Sequence, residues 1–365
     1  MQPTTEFCPN ADCEDVGKMG IGNIVIHSQR DKRYRCKTCG KAFCERKGTA
    51  MYGIKKGEKE FVQVVTLLSH GCPMQAIVAA FELDERTVRA WYQRGGEHCQ
   101  RVHETVVSSQ QLDLGQVQAD EIRVKTQQGI VWMALAMMVS TRLWMAGVVS
   151  PKRDKTLIMQ LVERIRAMAQ FRPLLLAVDG LSSYVSAFRD YFRLPVRSPE
   201  TGCWQLEPWP QVAIVQVVKS SIHEPTMAIT RRIVEGTKLM VTALVQATQG
   251  QGGINTAYIE RLNATFRQRL ACLGRRSRAL ARRQETLHWG MYLVGTVYNL
   301  ATYHDSLTKN RQQFCTPAMA AGLTDHRWSI HELLTFKSPP KPPDNSNPPT
   351  SRFEKYFVKE LSQVA

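Results

Sequence analysis

Pro-Leu-Leu-Leu-Ala-Val-Asp-Gly-Leu-Ser-Ser-Tyr, residues 173–184, is the stretch from which the fold is read. Five consecutive apolar residues, Leu174 to Val178, opened by a proline and closed by Asp179-Gly180, have the pattern of a central strand buried on both faces. Upstream, QVQADEIRV (116–124), IVWMALAMMV (130–139) and LWMAGVVS (143–150) are three further strands separated by polar turns. Between these and the buried strand, Asp154 caps a helix lined on one side by Leu157, Leu161, Ile165 and Met168. A second helix runs from Ser182 to Phe192. Three strands, a helix, a buried strand and a helix make an α/β domain.

Residues 194–253 show no clear period and one strand candidate, QVAIVQVV (211–218), before a flexible Gln-Gly-Gln-Gly-Gly. Asn255 then caps a long helix, and the chain to about 305 is mostly helical. Thr316-Pro317 to Gly322 has the cap, first-turn proline and glycine stop of a short helix. From Ser338 the composition turns Pro- and Asn-rich, which predicts a mostly disordered tail over 338–365. Its last apolar residues, Phe353, Tyr356, Phe357 and Leu361, suit a docking turn or a frayed end equally. No internal repeat is present.

The N-terminal region differs in chemistry. Cys8-x4-Cys13 and Cys36-x2-Cys39 flank IGNIVIHSQRDKRYR, which reads as two short strands about a polar turn. Two cysteine pairs across a hairpin can set four thiolates around one zinc, and a module this small needs such a staple. Free buried cysteine is the alternative. Cys44 is a spare thiol, and Cys72, Cys99, Cys203, Cys272 and Cys315 are isolated. Residues 57–94 form a compact helical unit: Phe61, Val64, Val65 and Leu68 keep helical spacing, Pro73 opens a short helix, and Asp84 caps a third through Val88 and Trp91. That is the helix-turn-helix pattern, its last helix turning Arg86, Arg89 and Gln93 outward towards a major groove. An ordinary three-helix bundle with a charged face fits the same residues.

Charge narrows the partner. The 365 residues carry 48 basic against 32 acidic side chains, a formal +16, which suits a polyanion. Residues 130–149 are about long enough to span a bilayer, but Ser140-Thr141-Arg142 interrupts them, so two buried strands are expected and nucleic acid is preferred to membrane. The N-terminus lacks the basic and apolar regions of a secretory signal. Thiols and metal ligation are therefore expected of the ten cysteines rather than a disulfide framework.

Three carboxylates stand out: Asp120 within the first strand, Asp179 at the end of the most apolar one, and Glu260 early in the helix opened by Asn255. A carboxylate at the end of a buried strand is expensive to desolvate unless a cation binds it. An all-oxygen set favours magnesium or manganese, and two such ions about 4 Å apart serve phosphodiester chemistry. Each acid also has a simpler reading. Asp179 can cap the helix near Leu181, Asp120 can face solvent with Glu121 on the opposite face, and Glu260 can pair with Arg267.

In order and context the three resemble the catalytic acids of DDE transposases. Val178-Asp179-Gly180-Leu-Ser-Ser-Tyr184 is similar to that family's second motif. Asn255-Thr-Ala-Tyr-Ile-Glu260-Arg-Leu-Asn-Ala-Thr-Phe-Arg267 resembles the third, with a basic residue seven positions after the glutamate. The resemblance covers residues 5 to 335. It implies a ribonuclease H-like catalytic domain (112–335), with the acids on the first strand, just after the fourth and on a later helix. Ahead of it would stand a zinc-ribbon-like module (1–50) and a helix-turn-helix domain (51–105). The long interval from Asp179 to Glu260 implies an insertion over 194–253. Function follows as expectation: binding of element ends, then metal-dependent strand cleavage and transfer by a homodimer or larger assembly on double-stranded DNA, in the nucleoid-associated cytoplasm of a bacterium. From Arg261 to Gln284 there are eight arginines and no acid, among them Arg267, Arg275, Arg276, Arg278, Arg282 and Arg283, a pattern suited to phosphate contacts. A structure-selective nuclease on the same fold, or a zinc-containing transcription factor without catalysis, are the rival readings.

Overall fold

The computed structural model describes residues 1–55, 57–198, 200, 202–220, 228–274 and 280–340. Arg275, Arg276 and Arg278, expected at phosphates, and the tail beyond 340 lie outside them. The chain divides into two units, Met1–Gln63 with Ser329 onward, and Val64–Trp328. The expected boundaries near 50 and 105–112 are not where this division falls.

In the first unit, β1 (Ile24–Ser28), β2 (Arg33–Cys36) and β3 (Ala42–Cys44) form an antiparallel sheet in that order. The first two are the strands expected about the polar turn. Gly40, at φ +71°, allows the tight turn after Cys39, where its N–H donates to the Cys36 carbonyl at 2.9 Å. Helix α1 (Glu58–Ser69) crosses from this unit into the next.

The second unit opens with α2 (Met74–Phe81) and α3 (Glu85–His103). Asp84 caps α3 as expected, accepting from the Arg86 N–H at 2.7 Å. The helix does not stop near Trp91 but continues through Gly95-Gly96 to His103. A six-stranded mixed sheet follows, built from β4 (Gln116–Thr126), β5 (Gly129–Met138), β6 (Trp144–Ser150), β7 (Leu174–Val178), β10 (Val212–Ser220) and β11 (Ala228–Glu235), ordered β11-β10-β7-β4-β5-β6. Within the chain order, α4 (Lys155–Met168) precedes β7, and α5 (Ser182–Tyr191) and the β8–β9 hairpin (Arg193–Arg197, Trp204–Pro208) follow it. Strand β7 is buried at all five residues and lies parallel to both β4 and β10. Residues 130–149 form β5 and β6 around a turn, and among the described residues no helix is long and apolar enough to cross a membrane.

Segment 194–253 holds more structure than its lack of period suggested: the hairpin, two sheet strands and α6 (Lys238–Gln249), capped by Thr237. Helix α7 (Ala257–Arg269) starts one residue later than a cap at Asn255 would have it. Thr256 is the N-cap, and the Asn255 side chain accepts the Ala257 N–H at 3.0 Å. Helix α8 (Gln284–Ala301) is the central helix of the unit. Its buried Asn299 accepts from the Trp144 N–H at 2.9 Å and donates to the Trp144 carbonyl at 2.8 Å, satisfying the outer edge of β6. Gly96 lets α3 approach α8: a Cβ there would stand 2.7 Å from the Trp289 Cα. Short α9 (Asp305–Arg311) and α10 (Pro317–Ala320) complete the unit. The chain then returns to the first unit as α11 (Ile330–Thr335), where the Ala50 N–H donates to the Leu334 carbonyl at 2.9 Å and Lys337 pairs with Glu6.

Candidate functional site

The parallel register of β4 with β7 pairs Gln118 with Ala177. Two residues further along each strand direction stand Asp120 and Asp179, so strand pairing itself sets these two carboxylates side by side. Asp120, Glu121 and Asp179 bring a carboxylate oxygen each within 4.8 Å of one another, a spacing able to hold a metal ion. Glu260, on the first turn of α7, lines the same cleft of about 610 Å³ with Asp120, Asp179, Lys219, Asn263 and Arg267, but lies outside that close group.

Helix α7 is pinned to β4 by one buried side chain. Gln118 accepts the Ile259 N–H at 3.0 Å and donates to the Asn255 carbonyl at 2.7 Å. One turn beyond Glu260, Asn263 donates to Asp120 Oδ2 at 2.8 Å, while Asp120 Oδ1 accepts the Glu121 N–H at 2.9 Å. Burial pushes the Asp120 carboxyl up to about 6, helped by the charges of Glu121, Asp179 and Glu260 and opposed by the Glu121 N–H.

Glu121 is the residue the sequence reading set on the far face of the strand. It is gripped there by Arg153, whose Nε and Nη2 lie 3.0 and 2.7 Å from Oε2, and by the Tyr184 hydroxyl on Oε1. Burial raises its carboxyl above the usual range against both contacts. The same guanidinium reaches Asp179 Oδ2 at 3.4 Å, so Arg153 ties two of the three close carboxylates together. Asp179 Oδ1 also accepts the Leu181 N–H at 2.9 Å, so it acts in the turn before α5 while facing the cleft. Burial works to raise the Glu260 carboxyl, but hydrogen bonds from Lys219 (2.5 Å) and Thr256 (2.7 Å) carry it below its ordinary value.

The four cysteines Cys8, Cys13, Cys36 and Cys39 converge in the first unit. Sulfur separations of 3.6 Å (Cys8–Cys39) and 3.9 Å (Cys13–Cys36) bracket the edge, about 3.8 Å, of a tetrahedron with ~2.3 Å metal–sulfur bonds. Four sulfurs at that spacing can hold a metal ion. Burial drives the Cys8 thiol far up, and ligation is what would let so buried a set deprotonate.

Among the described residues, the basic side chains expected to contact DNA fall in two places. Arg267 lines the carboxylate cleft, as its spacing from Glu260 implied. Arg86, Arg89 and Gln93 are exposed along one face of α3, with Arg89 paired to Glu85. Arg89 and Gln93 also line a cavity of about 580 Å³ with Arg282 and Arg283, which precede α8. Lys219, Asn263, Arg153 and Gln118 were not singled out from sequence. Asn263 and Tyr184 stood inside motifs already quoted, whereas Lys219 sat in the segment without a period. No protein-family model and no curated protein sequence matches the chain.

Proposed function

We propose that the chain is a DDE-type transposase that cuts and joins DNA at the cleft between β4, β7 and α7. One observation carries the reading: Asp120, Glu121 and Asp179 cluster within 4.8 Å at a cleft that Glu260 also lines. Asp120 is on the first strand of the six-stranded sheet, Asp179 just after the fourth, and Glu260 on a later helix, which supports a ribonuclease H-like core. Helices α2 and α3, with the αL residue Glu82 and capping Asp84 between them, support a helix-turn-helix reading.

The oxygen donors fit magnesium or manganese. When bound, such ions would supply the Lewis acidity that turns a water or 3′-hydroxyl into a nucleophile. Asp120 and Asp179 would hold them, with Glu260 completing the site. Arg153 neutralises Glu121, and the Tyr184 hydroxyl donates a hydrogen bond to its other oxygen, which together hold the buried side of the cluster. Lys219 and Arg267, on the walls of the cleft, would meet the phosphates of the strand being cut. The four-cysteine group would hold structural zinc, and Arg86, Arg89 and Gln93 would read the element's ends.

The test is cleavage of DNA bearing the sequences that flank the gene, with magnesium or manganese added. Asp179→Asn is expected to abolish cleavage and leave DNA binding intact; cleavage at the wild-type rate would refute the assignment. Equal cleavage of random or branched DNA would instead make the protein a structure-selective nuclease.

A further inference from the structure

Asn263 is only 1% exposed, yet it lines the carboxylate cleft. Its amide is half used. Nδ2 donates to Asp120 Oδ2 at 2.8 Å, and Oδ1 is buried with no hydrogen-bond partner. A buried amide oxygen left unpaired is destabilising, so proteins retain one where something else supplies the missing donor. Asn263 lines the cleft, so a group bound there can supply the missing donor. Asn263 is three residues after Glu260, on the same face of α7, and the pinning of α7 by Gln118 holds that face against β4.

We infer that Asn263 is a positioning residue of the metal site, acting through both ends of its amide. The N–H end fixes Asp120 in the orientation that presents its carboxylate to a divalent cation. The oxygen end accepts a hydrogen bond from water in that cation's coordination shell. This rests on the metal-dependent reading of the cleft and extends it to a residue outside the acidic trio. Outer partners of metal-bound carboxylates typically change affinity ten- to a hundredfold when removed.

The experiment is Mn2+ titration of the full, zinc-replete chain, followed by electron paramagnetic resonance, with thermal midpoints measured without manganese. Asn263→Ala is expected to weaken Mn2+ binding about ten- to a hundredfold. Asn263→Ser keeps a hydroxyl that can both donate to Asp120 and accept from water, and is expected to stay within about threefold of wild type. Wild-type affinity in Asn263→Ala overturns the inference. So does an equal loss in both variants, which would mark Asn263 as a packing residue and nothing more. If Asn263→Ala does not fold, Asn263→Ser alone decides: an affinity loss of about tenfold or more overturns the inference. Asp179→Asn separates the two levels: if it binds Mn2+ as wild type does, the metal reading of the cleft falls, and this inference with it.

Discussion

At the scale of single residues, His103 has an environment that forbids its charge. It is fully buried, its ring centroid 4.3 Å from that of Trp144, and its Nε2–H donates to the Met145 carbonyl at 2.9 Å. Burial lowers its pKa to about 4; nearby Arg164 acts in the same direction, while the Met145 carbonyl and Glu104 oppose it. A depressed folded pKa means the unfolded chain takes up the proton first. Its contribution is therefore complete above about 6.5 and is lost as pH falls through 4, a span of about 3 kcal/mol. Urea unfolding at pH 7 and pH 4.5 should show wild type losing about 2–3 kcal/mol more than His103→Gln between the two conditions. Identical losses would contradict this. The acids were legible one by one because each interrupts or ends a recognisable element. Glu121 was not, because strand alternation sends it to the far face, where Arg153 and Tyr184 do hold it. Side-chain length, which periodicity ignores, returns one of its oxygens to the cluster.

At the scale of elements, α3 and α8 meet through Gly96. A methyl there would stand 2.5 Å from the Trp289 Cβ and 2.7 Å from its carbonyl oxygen, backbone that cannot rotate away. Gly96→Ala should thus destabilise by about 1–3 kcal/mol, outweighing the ~1 kcal/mol that alanine adds to an ordinary helix. A raised thermal midpoint would show that the helices can part freely. The same contact explains why the sequence reading closed the helical unit at 94. Glycine pairs punctuate isolated helices, and only the partner helix, some two hundred residues later, reveals this pair as a packing device. The strands β4, β5, β6 and β7 and the helix α4 were read closely because their apolar residues follow clean periods. Strand β11 and helix α6 were missed. The first is an edge strand, AITRRIVE, whose adjacent Arg231 and Arg232 break the apolar alternation, and the second mixes β-branched residues into a helix carrying an 82%-exposed Leu239.

At the scale of the whole molecule, the two units rest on different chemistry. The second has a large apolar core; the first has a three-stranded sheet and a small cluster of buried residues to which the cysteines themselves belong. On the zinc reading proposed for the four cysteines, metal removal should be selective. With a strong chelator, amide exchange is expected to accelerate through β1, β2 and β3 while β4, β7 and α8 stay protected. Uniform loss of protection, or none, would refute a metal-dependent first unit. The sequence located the cysteine module but not the extent of its unit. The bond from Ala50 to Leu334 and the pairing of Glu6 with Lys337 join positions too far apart for any local pattern to announce. That closure also dictates a timetable. During synthesis the opening segment emerges long before its last supports exist. At ~5–20 residues per second, translating residues 64–328 takes on the order of ten seconds to a minute. For that interval the nascent cysteine module has only its own hairpin to hold it, and on the proposed zinc reading the metal supplied during synthesis would be what steadies it until α11 arrives.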